Sequence, residues 1–239
     1  MIRRKRCGLT LMESLIALSL MLLIMAALVK GARICRQFFF KFKEAQEFNQ
    51  EIWAGQDRLR RDLNRAGLGL EPCLASGLLL AIETKTSGFS IYSREASFPL
   101  KTELAAGSII VPVNHNNSIS RAQLIALVDD NRVELFKVER AEKDRLFLNQ
   151  PLKESYSSQG SVLAIEEVFY SYDQGNKILR RKVNASPSQP LLEKVTSFSW
   201  SNEASGPIKI KLTLESEKEM TYEIRVLPKN ALIARRNLP

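Results

Sequence analysis

One charged side chain, Glu13, lies in the twenty-one-residue apolar run from Leu9 to Val29. An ionised group at the centre of a bilayer costs about 2.5 to 3.5 kcal/mol on insertion scales, so an acid placed there marks a functional position. The chemistry open to it is pairing with a positive group at low dielectric rather than turnover of a substrate. Five residues ahead stands Gly8, and ahead of the glycine come Arg3, Arg4, Lys5 and Arg6. A secretory signal puts its small-residue cleavage site after the apolar core. Here the glycine precedes the core, and no Ala-x-Ala pattern closes the run.

Catalytic chemistry finds little to work with. His115, in Asn114-His115-Asn116-Asn117, is the only histidine, and a metal site needs several ligands. No Gly-x-Ser-x-Gly or phosphate loop accompanies it. The expectation is a surface-loop histidine in a protein that is not an enzyme, with no catalytic residue, metal or cofactor. Asp129 and Asp130 ahead of Asn131 read as a hairpin turn, with a calcium site as the alternative. Asn116-Asn117-Ser118 and Asn184-Ala185-Ser186 match the glycosylation sequon, a three-residue pattern of low specificity.

The elements that carry these residues follow from periodicity. About 20 apolar residues cross a bilayer, and Leu9 to Val29 meets that length. The basic leader keeps the amino terminus cytoplasmic and the chain after residue 30 is exported. Phe38, Phe42, Ala45, Phe48, Ile52, Leu59, Leu63 and Ala66 continue an apolar stripe at helical spacing, so one face of an amphipathic continuation requires cover. No proline interrupts Leu9 to Ala66, a helix of roughly 87 Å at about 1.5 Å per residue. Gly67-Leu68-Gly69 and Pro72 stop it. Phe38-Phe39-Phe40 with Lys41, Phe42 and Lys43 suits either an interfacial belt or the start of the packing stripe.

From Gly77 the period changes. Leu78–Ile82, Phe89–Tyr92, Ser108–Val113, Leu124–Val128, Val133–Val138, Leu146–Leu148, Val162–Tyr172, Ile178–Val183, Val195–Trp200, Ile208–Leu214 and Thr221–Val226 read as strands between turn residues. A helix followed by strands gives an α+β class, with the helix packed on an antiparallel sheet.

The chain has 239 residues, 45% hydrophobic, enough for one core beyond the anchor. Of its net charge of +9, the leader supplies four, leaving +5 from Leu9 onward. That surplus means solubility unless clustered. Cys7 lies in the leader; Cys35 falls inside the long helix and Cys73 beyond its end, so no intramolecular disulfide is expected.

The order of basic leader, Gly8, Leu9-Thr10-Leu11-Met12-Glu13 and apolar helix closely resembles the N-terminus of type IV prepilins and type II secretion pseudopilins. The resemblance implies cleavage between Gly8 and Leu9 by a prepilin peptidase, N-methylation at Leu9, and Glu13 as the fifth mature residue. It implies a layout of 1-8 leader, 9-29 transmembrane and filament-core helix, 30-66 amphipathic continuation, and 67-239 periplasmic β-rich domain. In such filaments Glu13 pairs with a neighbour's positive amino terminus at Leu9. Arg61-Asp62-Leu63-Asn64-Arg65-Ala66-Gly67, the Leu127–Val138 strand-turn-strand and the Tyr170–Phe198 passage resemble the PilW type of minor pilin and the J-type pseudopilin. The implied function is a minor pilin that primes or caps a type IV pilus with other minor and major pilins and the inner-membrane assembly platform. Its place is the bacterial inner membrane, single-pass with the C-terminal domain in the periplasm, and then the filament. Alternatives are a minor pseudopilin of type II secretion, a tip adhesin or DNA-uptake pilin using loops 114–120 and 153–160, and a signal-anchored periplasmic protein. DNA capture requires steeply salt-dependent duplex binding; a plain anchor tolerates replacement of Gly8 and Glu13.

Overall fold

The computed structural model describes residues 11–113, 119–130, 132–202, 207–215, 219–228 and 230. The chain divides into two units, Met1–Trp53 and Ala54–Pro239. One helix, α1 (Leu11–Asn64), supplies the described part of the first unit and, from Ala54, opens the second. Within the first unit, residues 11–47 are exposed at every position. The expected apolar stripe therefore divides. Phe38 and Phe42 are each 70% exposed, whereas Leu59, Leu63 and Ala66 are buried in the core of the second unit.

The second unit holds a short helix α2 (Glu71–Ala75) and strands β1 (Ile82–Lys85), β2 (Gly88–Pro99), β3 (Ile110–Pro112), β4 (Leu124–Asp129), β5 (Arg132–Ala141), β6 (Arg145–Leu148), β7 (Ser161–Asp173), β8 (Ile178–Val183), β9 (Gln189–Leu192), β10 (Val195–Asn202), β11 (Ile208–Leu214) and β12 (Met220–Val226). Each described strand pairing is antiparallel. The larger sheet runs β1-β2-β7-β4-β5-β6-β3 with β8 and β9 branching from β7, and β10-β11-β12 form a smaller one. The molecule is thus α+β, with antiparallel sheets following the long helix.

β7 is the branch point. β2 pairs along one edge from Ser171 to Ser161, while the other edge is shared, Ser161–Ala164 by β4 and Val168–Asp173 by β8. Alternate side chains of a strand face opposite ways. Val162 and Ala164 accordingly enter one core with Phe136, Val138 and Leu146, while Leu163 and Ile165 enter another with the end of α1. Two cores on one bifurcated strand replace the single core expected from length. The smaller sheet closes the second of these: Ile208, Ile210, Leu212 and Leu214 are buried on one face of β11, as their alternation predicts. Phe198 stacks on Phe89 with centroids 6.2 Å apart, and Trp200 is tilted against Phe89 at 5.8 Å.

Four expectations shift. Leu78–Ile82 is not a strand. Pro72 does not end helical structure but opens α2, where proline's missing N–H costs nothing. Gly77, at φ +70°, then reverses the chain, and β1 begins only at Ile82. β9 is a strand that sequence does not suggest, because Pro190 argues against a strand interior; it occupies the sheet edge, where proline is tolerated. β2 extends well beyond Tyr92, through an irregularity between Arg94 and Ala96, where one extra residue bends a strand without ending it.

Candidate functional site

The apolar part of α1 carries the most unusual surface in the chain. Leucine, methionine and alanine dominate Leu11–Val29 and favour helix. Ser19, a polar interruption alongside Glu13 and Ser14, returns its hydroxyl to the Leu15 and Ile16 carbonyls at 2.8 and 3.0 Å, which hides a donor from an apolar surrounding. This helix is long and apolar enough to cross a membrane, and none of its apolar stretch is buried. Helices apolar on all sides belong in a core or a bilayer. Glu13 sits on it, exposed, with Ile16, Ala17 and Leu20 on the same face by helical spacing.

Arg3, Arg4, Lys5, Arg6, Gly8 and Leu9 lie outside the described residues, as do His115, the first sequon and Asn131. Asn184 of the second sequon helps to hold the sheet together, its Oδ1 accepting the Glu167 N–H at 2.8 Å. Asp129 pairs with Arg132 to close the β4–β5 ladder, and Asp130 takes φ +46° in the reversal. The Asp129 carboxylate accepts the Ser157 N–H at 2.7 Å and its hydroxyl at 3.1 Å, so this acid fastens the 153–160 loop. Among the described residues no group of three or more His, Cys, Asp or Glu side chains is placed to hold a metal ion. Cys35 and Cys73 are free thiols, the first exposed and the second buried.

Sequence alone does not foresee how the end of α1 is fixed to the sheet. Asp62 is 4% exposed. Its Oδ2 accepts the Tyr170 hydroxyl and the Arg181 Nε, both at 2.7 Å, and its Oδ1 lies 3.6 Å from Arg58 Nε. Burial, then the Asp62 charge and hydrogen bond, push the Tyr170 hydroxyl far above its ordinary range. Burial opposes the Arg181 charge, yet the Asp62 carboxylate and Tyr170 outweigh it and hold the guanidinium above its usual value. Asp62 and Arg181 belong to separate passages of the sequence; only register places Arg181 opposite Tyr170 across β7 and β8.

Just beyond, the Gly67 N–H donates to Tyr92 O at 2.7 Å and the Arg94 N–H to Leu68 O at 2.9 Å. Gly67 and Gly69 stand at φ +73° and +71°, a region that glycine enters without penalty. Gly55 serves close packing: a Cβ there would lie 2.5 Å from Leu192 Cδ2. On the face of β2 and β7, Glu167 Oε1 accepts Lys85 Nζ at 2.5 Å and Ser90 Oγ at 2.7 Å, while Tyr92 OH donates to Glu83 Oε2 at 2.7 Å. Burial raises Glu167, but the Lys85 and Ser90 hydrogen bonds prevail and hold it below the ordinary carboxylate value. These are structural fastenings, although Arg181 Nη2 is buried without a hydrogen-bond partner, and the apolar stretch of α1 stands apart from them, unburied.

In comparisons with known proteins the chain matches no family model, no curated protein and no solved structure.

Proposed function

We propose that this chain is a minor type IV pilin, a structural subunit that primes or caps a pilus. On this reading prepilin peptidase cuts between Gly8 and Leu9 and methylates Leu9. The subunit waits in the inner membrane with its β-rich domain in the periplasm, and enters the filament as its apolar helix bundles with those of other minor and major pilins at the assembly platform. The observation that carries the reading is one helix with two unlike parts. Leu11–Val29 is unburied and apolar but for Glu13, Ser14 and Ser19, and the same helix ends in the Asp62–Arg181–Tyr170 fastening.

A filament replaces lipid around the apolar part with other helices and demands a fixed stagger between them. Glu13 supplies it. In the bundle the carboxylate is desolvated, and the positively charged amino terminus of a neighbouring subunit at Leu9 is the counter-charge. Since desolvation consumes much of what an ion pair gains, the pair sets register more than it adds stability. Subunits in the wrong stagger leave the charge buried without its partner, at several kcal/mol.

The experiment is co-expression with a prepilin peptidase and an assembly system, followed by recovery of sheared filaments. The unaltered chain is expected in the filament fraction. Glu13→Leu is expected to be processed at Gly8 and retained in the membrane. Filament incorporation unaffected by Glu13→Leu contradicts the mechanism.

A further inference from the structure

The residues that follow the apolar span form a second kind of surface. Between Lys30 and Lys43 the chain carries Lys30, Arg33, Arg36, Lys41 and Lys43 and no acid. At about 100° per residue, Ile34, Phe38, Phe42 and Phe39 fall on one arc of the helix, with the five basic residues around the rest. Phe38, Phe39 and Phe42 are 70%, 64% and 70% exposed. Phe40, on the basic side, lies under the Arg36 guanidinium, 5.5 Å from the ring centroid. A basic amphipathic helix of this design lies in a membrane interface, with its apolar face in the headgroup and acyl boundary and its cations among lipid phosphates.

Position fits as well as pattern. Twenty residues from Leu11 to Lys30 rise about 28 Å, close to the hydrocarbon thickness, so Lys30 falls at its edge. Standing upright, the next turns would leave the headgroup layer, about 5 to 7 Å deep, well before Phe42, roughly 18 Å above Lys30. α1 runs unbroken through this point; Gly31, about 1 kcal/mol less favourable in a helix than alanine, is where its axis would turn most cheaply on a membrane surface. A second copy of this segment is a poor occupant, because it would set like charges against one another.

We propose that residues 30–43 bind an anionic phospholipid surface, with Ile34, Phe38, Phe39 and Phe42 in the headgroup and acyl boundary and the five basic side chains on lipid phosphates. The proposal rests only on α1 crossing the membrane, and stands or falls independently of peptidase processing. Each basic residue near an anionic surface is worth about 1 kcal/mol, or roughly fivefold in partitioning. What the segment gains from lipid is lost when the subunit leaves the membrane, so it holds the chain there until partners are ready.

The test uses the full chain with Cys7→Ser, Cys35→Ser and Phe42→Cys, spin-labelled at position 42, in vesicles of phosphatidylcholine alone or with one third phosphatidylglycerol. Cys73 is 0% exposed and does not compete for label. With phosphatidylglycerol the label is expected to be reached by oxygen and shielded from a water-soluble nickel chelate. Pure phosphatidylcholine, high salt, or glutamine at all five basic positions is expected to return it to water. Glutamine keeps helix propensity, and the salt titration gives the same reading on unaltered charges. A label in water with either lipid overturns the proposal. A label held in lipid regardless of phosphatidylglycerol, salt and the five glutamines overturns the assignment of an anionic ligand.

Discussion

Asp62 Oδ2, near the end of α1, lies 2.7 Å from Arg181 Nε on β8, across 119 residues of sequence. Both side chains are withdrawn from water, at 4% and 13% exposure. Removing one member leaves the other as an uncompensated buried charge, which costs about 3 to 5 kcal/mol. Asp62→Ala is therefore expected to lower the denaturation midpoint of the body sharply, and Tyr170→Phe by about 1 kcal/mol, a single hydrogen bond. Replacing the cluster together, as Asp62→Leu with Arg181→Met and Tyr170→Phe, should recover most of the loss, since no buried donor is then left without its acceptor. A triple variant no better than Asp62→Ala would show that the cluster does more than satisfy its own burial.

Gly67→Ala tests the loop that follows the helix. The backbone there has φ +73°, and a Cβ would come 2.9 Å from Leu74 Cδ1 and 3.1 Å from Ala81 Cβ. Left-handed backbone alone costs an alanine about 1 to 2 kcal/mol, and the contacts add to it. Chemical denaturation of the variant should show at least that loss; an unchanged midpoint would contradict the tight packing of the Gly67 turn.

Acid should weaken the contact of β1 and β2 with β7. The folded-state value of Glu167 is lowered from the 4.5 of an ordinary glutamate. A depressed carboxylate contributes stability above its unfolded value and loses it as pH falls through the folded value. The loss is thus expected below pH 4.5, and Glu167→Gln should flatten that part of the melting-temperature profile. Parallel profiles for the two proteins would remove Glu167 from the acid response.

The two thiols should differ in reactivity. Burial pushes Cys73 up to about 11, while Cys35 is exposed on α1. Only the thiolate attacks an alkylating reagent. In a Cys7→Ser chain at neutral pH, mass analysis should find one adduct on Cys35 in the folded protein and two after denaturation. Equal native labelling would contradict the burial of Cys73.

Four basic residues precede the span, Arg3, Arg4, Lys5 and Arg6, and five follow it by Lys43. Orientation follows the Lys and Arg flanks within about 15 to 20 residues of the span; four against five do not by themselves favour export, and removing the leader charges tips the flanks further against it. Glutamine at all four leader positions is expected to give mixed or inverted topology, read with a compartment-sensitive reporter fused after Pro239. Uniform export of that variant would contradict the dependence.

Much of the fold is legible in the sequence because period is a local property. Ile208, Ile210, Leu212 and Leu214 alternate in sequence and are buried together in β11, and the absence of proline before Pro72 matches the unbroken α1. What is not legible depends on chain segments meeting across long separations. The Asp62–Arg181 contact requires the β7–β8 register, and the burial of Val162 and Leu163 in different cores requires β4 and β8 to divide one edge of β7. β9 is hidden because Pro190 is excluded from strand interiors but not from edges. Glu13 announces itself by chemistry alone, as a charge among apolar residues.

The most direct measurement is the intact mass and N-terminal sequence of the chain expressed with and without a prepilin peptidase. With the peptidase, the account predicts a 231-residue protein beginning at methylated Leu9, and loss of that product in Gly8→Ala. A chain that keeps Met1 to Gly8 in the presence of active peptidase would contradict the pilin reading and leave an anchored domain.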